Sequence, residues 1–408
     1  MKKILIIKDG LQTGGTTASF LAFLQAMEHQ ENYEVYVWIN ELLKADKRLP
    51  QYVHIYSTPE LDGAFAHPQS AIGKILRLLK NQQFYPYLKS RFLLKKNRDN
   101  RRVIACYQQM DIKKAKSQKK IELSEFDAVL TWEEFYPCYL LAECIQTKKR
   151  IAWIHPDYVQ CGFEPQYDRP VFEKLDAIVA VSKGGQHSLK NAMPELAHKF
   201  RCVNNCVNVM KIREKSEEPQ QDIIQEEEQI TLVTVARLQN ISKALDRAVR
   251  VSSRLKKAGY CFKWYFVGNG EDYERIQTLI EENDVKDCMV LLGHKDNPYP
   301  YMKKADLFVL QSYYEGKPVV VDEAMIIGTP VLVSDYASAK SQVIEGCGWV
   351  VDNDEDAIYK GMEEILGNTD KLLECKKHLA KLDVERYMDC SAYVNLFDEV
   401  LKDDCEDI

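Results

Sequence analysis

The sequence predicts an α/β protein of two Rossmann-like, doubly wound domains, and three observations carry that expectation. Short apolar runs of strand length alternate with stretches of helical spacing in both halves of the chain. The alternation stops between about Asn204 and Gln229, where NNCVNVMKIREKSEEPQQDIIQEEEQ is polar, has no steady period and turns acidic in its second half. A length of 408 residues also suits two cores better than one. The expected organisation is a first domain over 1–205 and a linker over 206–229. A second domain covers 230–385, and a helical segment over 386–408 crosses back to the first.

In the first half, Lys3–Lys8 reads as a buried strand and Asp9–Gly15 (DGLQTGG) as a glycine-bearing loop. Thr16–Met27 reads as a helix with Phe20, Leu21, Phe23, Leu24 and Met27 apolar. The loop is neither Gly-x-Gly-x-x-Gly nor Gly-x-x-x-x-Gly-Lys-Ser/Thr, so no dinucleotide or P-loop site follows from it. Gly14 and Gly15 either admit a ligand close to the backbone or simply form a tight turn. Further strands are expected at Glu34–Ile39, Tyr52–Ser57, Ala128–Thr131, Arg150–His155 and Ala177–Ser182. In IAWIHPDY, His155 falls at the carboxyl end of its strand, where open α/β sheets bind ligands. Lys183, in AVSKGG, reads as an exposed turn lysine.

Composition narrows the classes. With 46% hydrophobic and 28% charged residues, the chain reads as an ordinary globular protein. No apolar run reaches the about 18 residues that a membrane-spanning helix needs. MKKILIIKDG carries too short an apolar run for a signal peptide and suits a first strand. The 12 cysteines include no Cys-x-x-Cys pair, the closest spacing being Cys202 and Cys206, and are expected to be reduced, packed thiols. The expected location is the cytosol. The net charge of −6 hides an asymmetry: Lys74–Lys120 carries +13 and the remainder −19. That basic stretch is interleaved with Leu78, Leu79, Phe84, Tyr85, Tyr87, Phe92 and other apolar residues. It reads either as an amphipathic surface for anionic lipid, on the inner face of the plasma membrane, or as two solvated helices packed on a core. An acidic chain without a nucleic-acid module argues against a nucleic-acid partner.

The second half restarts with strands at Ile230–Ala236, Phe262–Val267, Met289–Leu292, Leu307–Leu310, Val331–Val333 and Gly348–Val351. Helices are expected at Lys243–Ala258, Glu271–Asn283, Pro298–Lys304, Pro318–Ile327, Asp354–Leu366, Thr369–Leu382 and Ser391–Leu401. Arg237, just past the first of these strands, and Lys243 suit a diphosphate: a forked guanidinium and a compact ammonium. In ADLFVLQSYYEGKPVVVDEAMIIGTPVLVSDY, Glu315 precedes a helix and Glu323 lies inside that otherwise apolar helix. Pro318 suits the first helical position, and Gly328-Thr329-Pro330 closes the helix. A buried glutamate needs a partner, and a helix N-terminus at a strand's carboxyl end is an anion site. Asp352-Asn353-Asp354 looks like a metal-binding Asp-x-Asp but precedes a helix and reads as its cap.

The spacing Glu315–x7–Glu323 within YEGKPVVVDEAMIIGTPVLVSD resembles the EX7E signature of retaining GT-B glycosyltransferases of the family 4 type. ARLQNISKALD, VGNGEDYERI and LLGHKDNPYPYMKKADLFVLQS are similar to further segments of that family, and the N-terminal half matches mainly in layout. The resemblance implies a GT-B fold, two Rossmann-like domains facing across a cleft. It further implies a nucleotide diphosphate sugar as donor, a glycan or lipid-linked acceptor, and no cofactor or metal. Glu315 would hold hydroxyls of the donor sugar and Glu323 those of the ribose. Arg237 and Lys243 would neutralise the leaving diphosphate, helped by the backbone from Gly316 and Lys317 through Pro318 to Val319 and Val320. Gly293 and His294 would lie at the base, His155 near donor sugar and acceptor, and Gly14-Gly15 near a phosphate or the acceptor. Two departures stand out: Gly316-Lys317-Pro318 replaces Gly-Phe-Gly, and Lys243-Ala244 replaces Lys-Gly, the latter a mild change. Two other classes remain, a nucleotide-sugar-binding protein without transferase activity and another Rossmann-type enzyme such as an epimerase.

Overall fold

Two parallel sheets position everything that follows. The structure, a computed structural model, describes all residues except 12–13, 40–47, 66–104, 106–108, 110, 117, 224 and 403–408, so most of the basic segment lies outside it. The chain divides into two units, Met1–Asn204 with Cys390–Ile408, and Asn205–Asp389.

The sheet of the first unit holds β1 (Lys2–Lys8), β2 (Tyr33–Ile39), β3 (His54–Ile55), β4 (Ala128–Thr131), β5 (Lys149–Ile154), β6 (Ala177–Ala180) and β7 (Phe200–Cys202). Their order is β3-β2-β1-β4-β5-β6-β7, all pairs parallel. Parallel strands are covered on both faces, which is why Ile4–Ile7, Ala128–Thr131 and Ile151–Ile154 are unbroken buried runs rather than alternating ones. From β1 the chain winds outward through β2 and β3, then crosses back to build β4 to β7 on the other side. The winding therefore reverses between β1 and β4, and at such a reversal the carboxyl ends of the strands frame a crevice. The helix Ser391–Val400 belongs to this unit. Its Tyr393 ring stacks at 6.3 Å on Trp132 and 6.2 Å on Trp153, and its hydroxyl donates to the Asn204 carbonyl at 2.9 Å.

The second unit holds β8 (Ile230–Val235), β9 (Phe262–Val267), β10 (Met289–Gly293), β11 (Leu307–Leu310), β12 (Val331–Ser334) and β13 (Gly348–Val351), in the order β10-β9-β8-β11-β12-β13. Again all pairs are parallel, and the reversal falls between β8 and β11. The stretch read as a linker is part of this unit instead. Val209–Ser216 is helical, and its buried Val209 and Ile212 cluster with Val319, Ile326 and Tyr387. Two apolar residues one helical turn apart suffice for that contact and are too few to give a readable period.

The glycines of VGNG have a steric reason. A Cβ on Gly268 would fall 1.9 Å from the Ala236 carbonyl oxygen, and one on Gly270 would fall 2.4 Å from that of Leu238. The turn after β9 thus lies directly on the turn after β8, which carries Arg237. Gly270→Ala is expected to cost about 1–3 kcal/mol through this overpacking, measured by denaturant unfolding. Two helix boundaries shift from expectation. Pro318 is the N-cap (φ −70°, ψ 111°) and the helix runs Val319–Ile327, closed by Gly328 at φ 96°. The helix expected from Lys243 breaks into Asn240–Lys243 and Leu245–Lys257 at Ala244, whose φ is 50°. Replacing glycine there is therefore not mild: an L-residue in this region carries on the order of 1 kcal/mol of strain.

Candidate active site

In the second unit the turns after β8 and β11 meet. Lys243 Nζ lies 2.5 Å from Glu315 Oε1, with the two side chains 19% and 12% exposed. Ser312 Oγ donates to the same carboxylate oxygen at 2.6 Å. Beneath them the loop is clamped. Gln311 Nε2 donates to the Lys243 carbonyl at 2.9 Å, and Tyr313 N–H to the Ser242 carbonyl at 2.8 Å. The buried Arg247 donates to the Gln311 carbonyl and to Asn353 Oδ1, the latter at 2.9 Å, and stacks over the Tyr313 ring. Asn353 in turn donates to the Tyr313 carbonyl at 2.9 Å. A lysine and a glutamate 72 positions apart are thus held as a pair by backbone and side-chain bonds around them.

Glu323 sits one helical segment away, 7% exposed, and accepts from the Tyr299 hydroxyl at 2.9 Å. Burial pushes its carboxyl up to about 7; the Tyr299 bond opposes that shift and neighbouring Asp322 adds to it. Asp322, in the first helical turn, is paired with Lys317 at 2.9 Å, the residue that stands where Phe is usual in the family of resemblance. The folded protein holds the Glu323 proton more tightly than the unfolded chain does. This group's contribution to stability therefore falls as pH rises from 4.5 to about 7. A ligand hydroxyl donates best to the carboxylate form, so affinity for any ligand held in this way is expected to move the other way: up to about tenfold weaker at pH 6 than at pH 8, by calorimetric titration. Tyr299→Phe should shift that transition to higher pH.

Arg237 is not drawn to this pair. It is 68% exposed and bonds Glu271 at 3.1 Å, which also accepts from Gln239 at 2.7 Å. Gly293 ends β10 with φ 71°, its carbonyl accepting from Gly268 N–H at 2.8 Å, and His294 is exposed beside Asp296. Gly316 and Val319 are buried, while Val320 is half-buried. Asp354 caps its helix, accepting from Ala357 N–H at 2.8 Å, as the sequence implied.

In the first unit His155 follows β5. Its Nε2 lies 2.7 Å from the Trp132 carbonyl oxygen, and burial lowers its pKa to about 4, so the ring is neutral. Gly14 caps the helix Gly15–Met27 at φ 154°, and among the described residues nothing lies within 4 Å of where its Cβ would stand. Lys183 is exposed at the start of its helix, whose cap is Ser182. Sequence reasoning passed over Lys8, Glu133 and Glu134. Lys8 is 1% exposed and pairs with Glu133 at 2.5 Å. The signal was present: two carboxylates directly after the buried-strand run AVLTW.

Residues 215–381 match the family glycosyl transferases group 1. The chain is 28% identical over 201 residues to the amylovoran biosynthesis glycosyltransferase AmsK of Erwinia amylovora, covering 46% of each. It is also 28% identical over 214 residues to a Campylobacter jejuni N-acetylgalactosaminyltransferase acting on a diphospho-undecaprenol-linked sugar, covering 52% of this chain and 56% of that one. These matches span about half the length of those curated relatives. Over whole chains the structure resembles S. aureus TarM, solved with UDP (TM-score 0.66, 12% identity, 99% and 100% covered). It also resembles Anabaena HepE with UDP-glucose (TM-score 0.63, 13% identity, 97% and 99% covered). The fold is GT-B.

Proposed function

We propose that this chain, a GT-B protein whose residues 215–381 match glycosyl transferases group 1, is a glycosyltransferase. It moves a sugar from a nucleotide diphosphate sugar to a glycan or lipid-linked acceptor in surface polysaccharide synthesis, with retention of anomeric configuration. The observation that carries the reading is the Lys243–Glu315 pair, held at the sheet reversal of the second unit. An ammonium and a carboxylate kept at low exposure provide both partners that a sugar diphosphate needs, one for phosphate oxygens and one for sugar hydroxyls. The N–H groups of Val319 and Val320 at the N-terminus of the helix add donors to the phosphate, while Pro318 supplies none.

In this reading the bond from the anomeric carbon to the β-phosphate oxygen breaks. The acceptor oxygen bonds to the anomeric carbon on the same face, and its proton passes to the departing phosphate. Lys243 and Arg237 stabilise the charge that develops on that leaving group. Arg237 must exchange Glu271 for the phosphate, which its exposure allows. With Lys243 and Arg237 as the two cations for the diphosphate, the reading needs no metal. No helix among the described residues is long and apolar enough to cross a membrane, and docking through the basic segment 74–120 is the proposed route to a lipid-linked acceptor. Salt-insensitive flotation on liposomes would remove that route.

The test is a panel of UDP-, GDP- and ADP-sugars with and without EDTA, with the product anomer read by NMR. The reading expects cleavage of at least one donor, unaffected by EDTA, with the anomer retained. Trapping of a covalent glycosyl-enzyme would contradict the mechanism, and a panel wholly uncleaved would contradict the function.

A further inference from the structure

The helix Val319–Ile327 begins at the candidate active site and ends on the opposite edge of the second sheet, since it leads from the carboxyl end of β11 to the amino end of β12. There its last turn floors a cleft of about 410 Å³, a size that suits a small molecule. The helices Val209–Ser216, Tyr299–Lys304 and Asp370–Leu379 supply the walls. All four helices belong to the second unit, and no residue assigned to the nucleotide sugar lines the cleft.

Three cations and one carboxylate line it: Arg213, Lys303, Lys376 and Glu217, a charge of +2. Lys303 pairs with Glu217, and Lys376 pairs at 3.2 Å with Asp306, just ahead of β11. Each ammonium carries three donors and spends one on its carboxylate, so both keep N–H groups for a ligand. Arg213 is exposed in the last turn of its helix, and among the described residues no carboxylate pairs with it. Between the cations the floor is apolar, made by Ile326, Ile327 and Leu379. The rim continues that surface. Met210, 69% exposed, lies one turn before Arg213, and Leu373, 56% exposed, lies one turn before Lys376, so each shares a helix face with its cation. Among the described residues these are the two most exposed large apolar side chains of the second unit.

The two halves of this lining ask for two halves of a ligand. A neutral polyol would leave Arg213 and the spare ammonium donors without an anion, and inorganic phosphate would leave the apolar floor and rim in water. Three separate cations suit the three terminal oxygens of a phosphate better than the two of a carboxylate. We propose that this cleft is a second ligand site, for a phosphate monoester with a short apolar body. The phosphate takes the forked guanidinium of Arg213 and the remaining donors of Lys303 and Lys376, and the apolar body lies on Ile326, Ile327 and Leu379. The carbonyl end of the helix Val319–Ile327 repels an anion, which keeps the phosphate at the cationic rim and leaves the floor to the apolar part. The site does not rest on the glycosyltransferase reading, which the nucleotide-sugar panel tests separately.

The test is ligand-observed NMR on the full chain at pH 8, with hexyl phosphate as probe and inorganic phosphate and hexanol as controls. Hexyl phosphate should bind saturably, at least about tenfold more tightly than either control, and more weakly as salt is added. Arg213→Ala should weaken it at least about tenfold, the loss of one charge-assisted hydrogen bond. Ala380→Trp should do the same by filling the cleft from an exposed position just past the helix Asp370–Leu379. Lys243→Ala, at the carboxyl edge of the sheet, should leave hexyl phosphate binding unchanged. Thermal unfolding checks that the variants remain folded. The proposal is overturned if hexyl phosphate does not bind, if either control binds as tightly, or if folded Arg213→Ala or Ala380→Trp binds it as the unaltered protein does. Loss of binding in Lys243→Ala alone would place the probe at the nucleotide site and overturn it equally.

Discussion

Lys243→Ala is expected to lower turnover of the preferred nucleotide sugar by about 10²–10³-fold, the usual effect of removing one preorganised donor to a developing oxyanion. Its ammonium is aligned before substrate arrives: Glu315 holds it at 2.5 Å, and Gln311 fixes its own carbonyl at 2.9 Å. No reorganisation is then required when the diphosphate departs. The substitution also leaves Glu315 without its counter-ion. A fully buried pair broken in this way costs about 3–5 kcal/mol, and these partly solvated side chains, with Ser312 still bonded to Glu315, should lose about 2 kcal/mol. Activity and stability separate in the pair Lys243→Met with Glu315→Gln, which should regain most of the stability and none of the turnover. Steady-state kinetics beside denaturant unfolding makes the comparison.

Glu315→Ala is expected to lower kcat/KM by at least about 10²-fold for a different reason. In the proposed reading the carboxylate holds donor-sugar hydroxyls, so its loss frees the sugar to rotate about the diphosphate and forfeits near-attack orientation. Affinity for the free nucleoside diphosphate, which has no sugar to hold, should change little or improve as Lys243 is released from its carboxylate. A sugar-specific loss with intact nucleotide binding distinguishes this role from collapse of the loop. Equal loss of both would assign Glu315 to architecture.

Much of this site was legible because its chemistry is concentrated in one stretch. Glu315, the capped helix and Glu323 lie within residues 305–336, where a carboxylate in an apolar helix signals itself. Lys243 was legible only as one of two cations suited to a diphosphate; that its turn meets the turn after β11 follows from the sheet order. Tyr299 was not legible: one phenol among 22 tyrosines carries no pattern, and only the fold sets its hydroxyl on Glu323. Arg247 was hidden likewise, since a helical arginine ordinarily faces water and this one is 3% exposed. The helix inside the expected linker escaped notice because acidic and basic residues outnumber its buried Val209 and Ile212. The Ala244 strain needed a backbone angle that composition does not reveal. The sheet orders themselves came only from the structure.

The central claim is that the second unit binds a nucleotide diphosphate through Lys243 and Glu323. Calorimetric titration of UDP, GDP and ADP into the full-length protein, Lys243→Ala and Glu323→Gln at pH 8 tests it most directly. The account predicts that one nucleotide binds the unaltered protein and that each substitution weakens it at least tenfold, the heat of unfolding confirming that both variants remain folded. Unchanged affinity in both folded variants, or no binding of any nucleoside diphosphate, would contradict it.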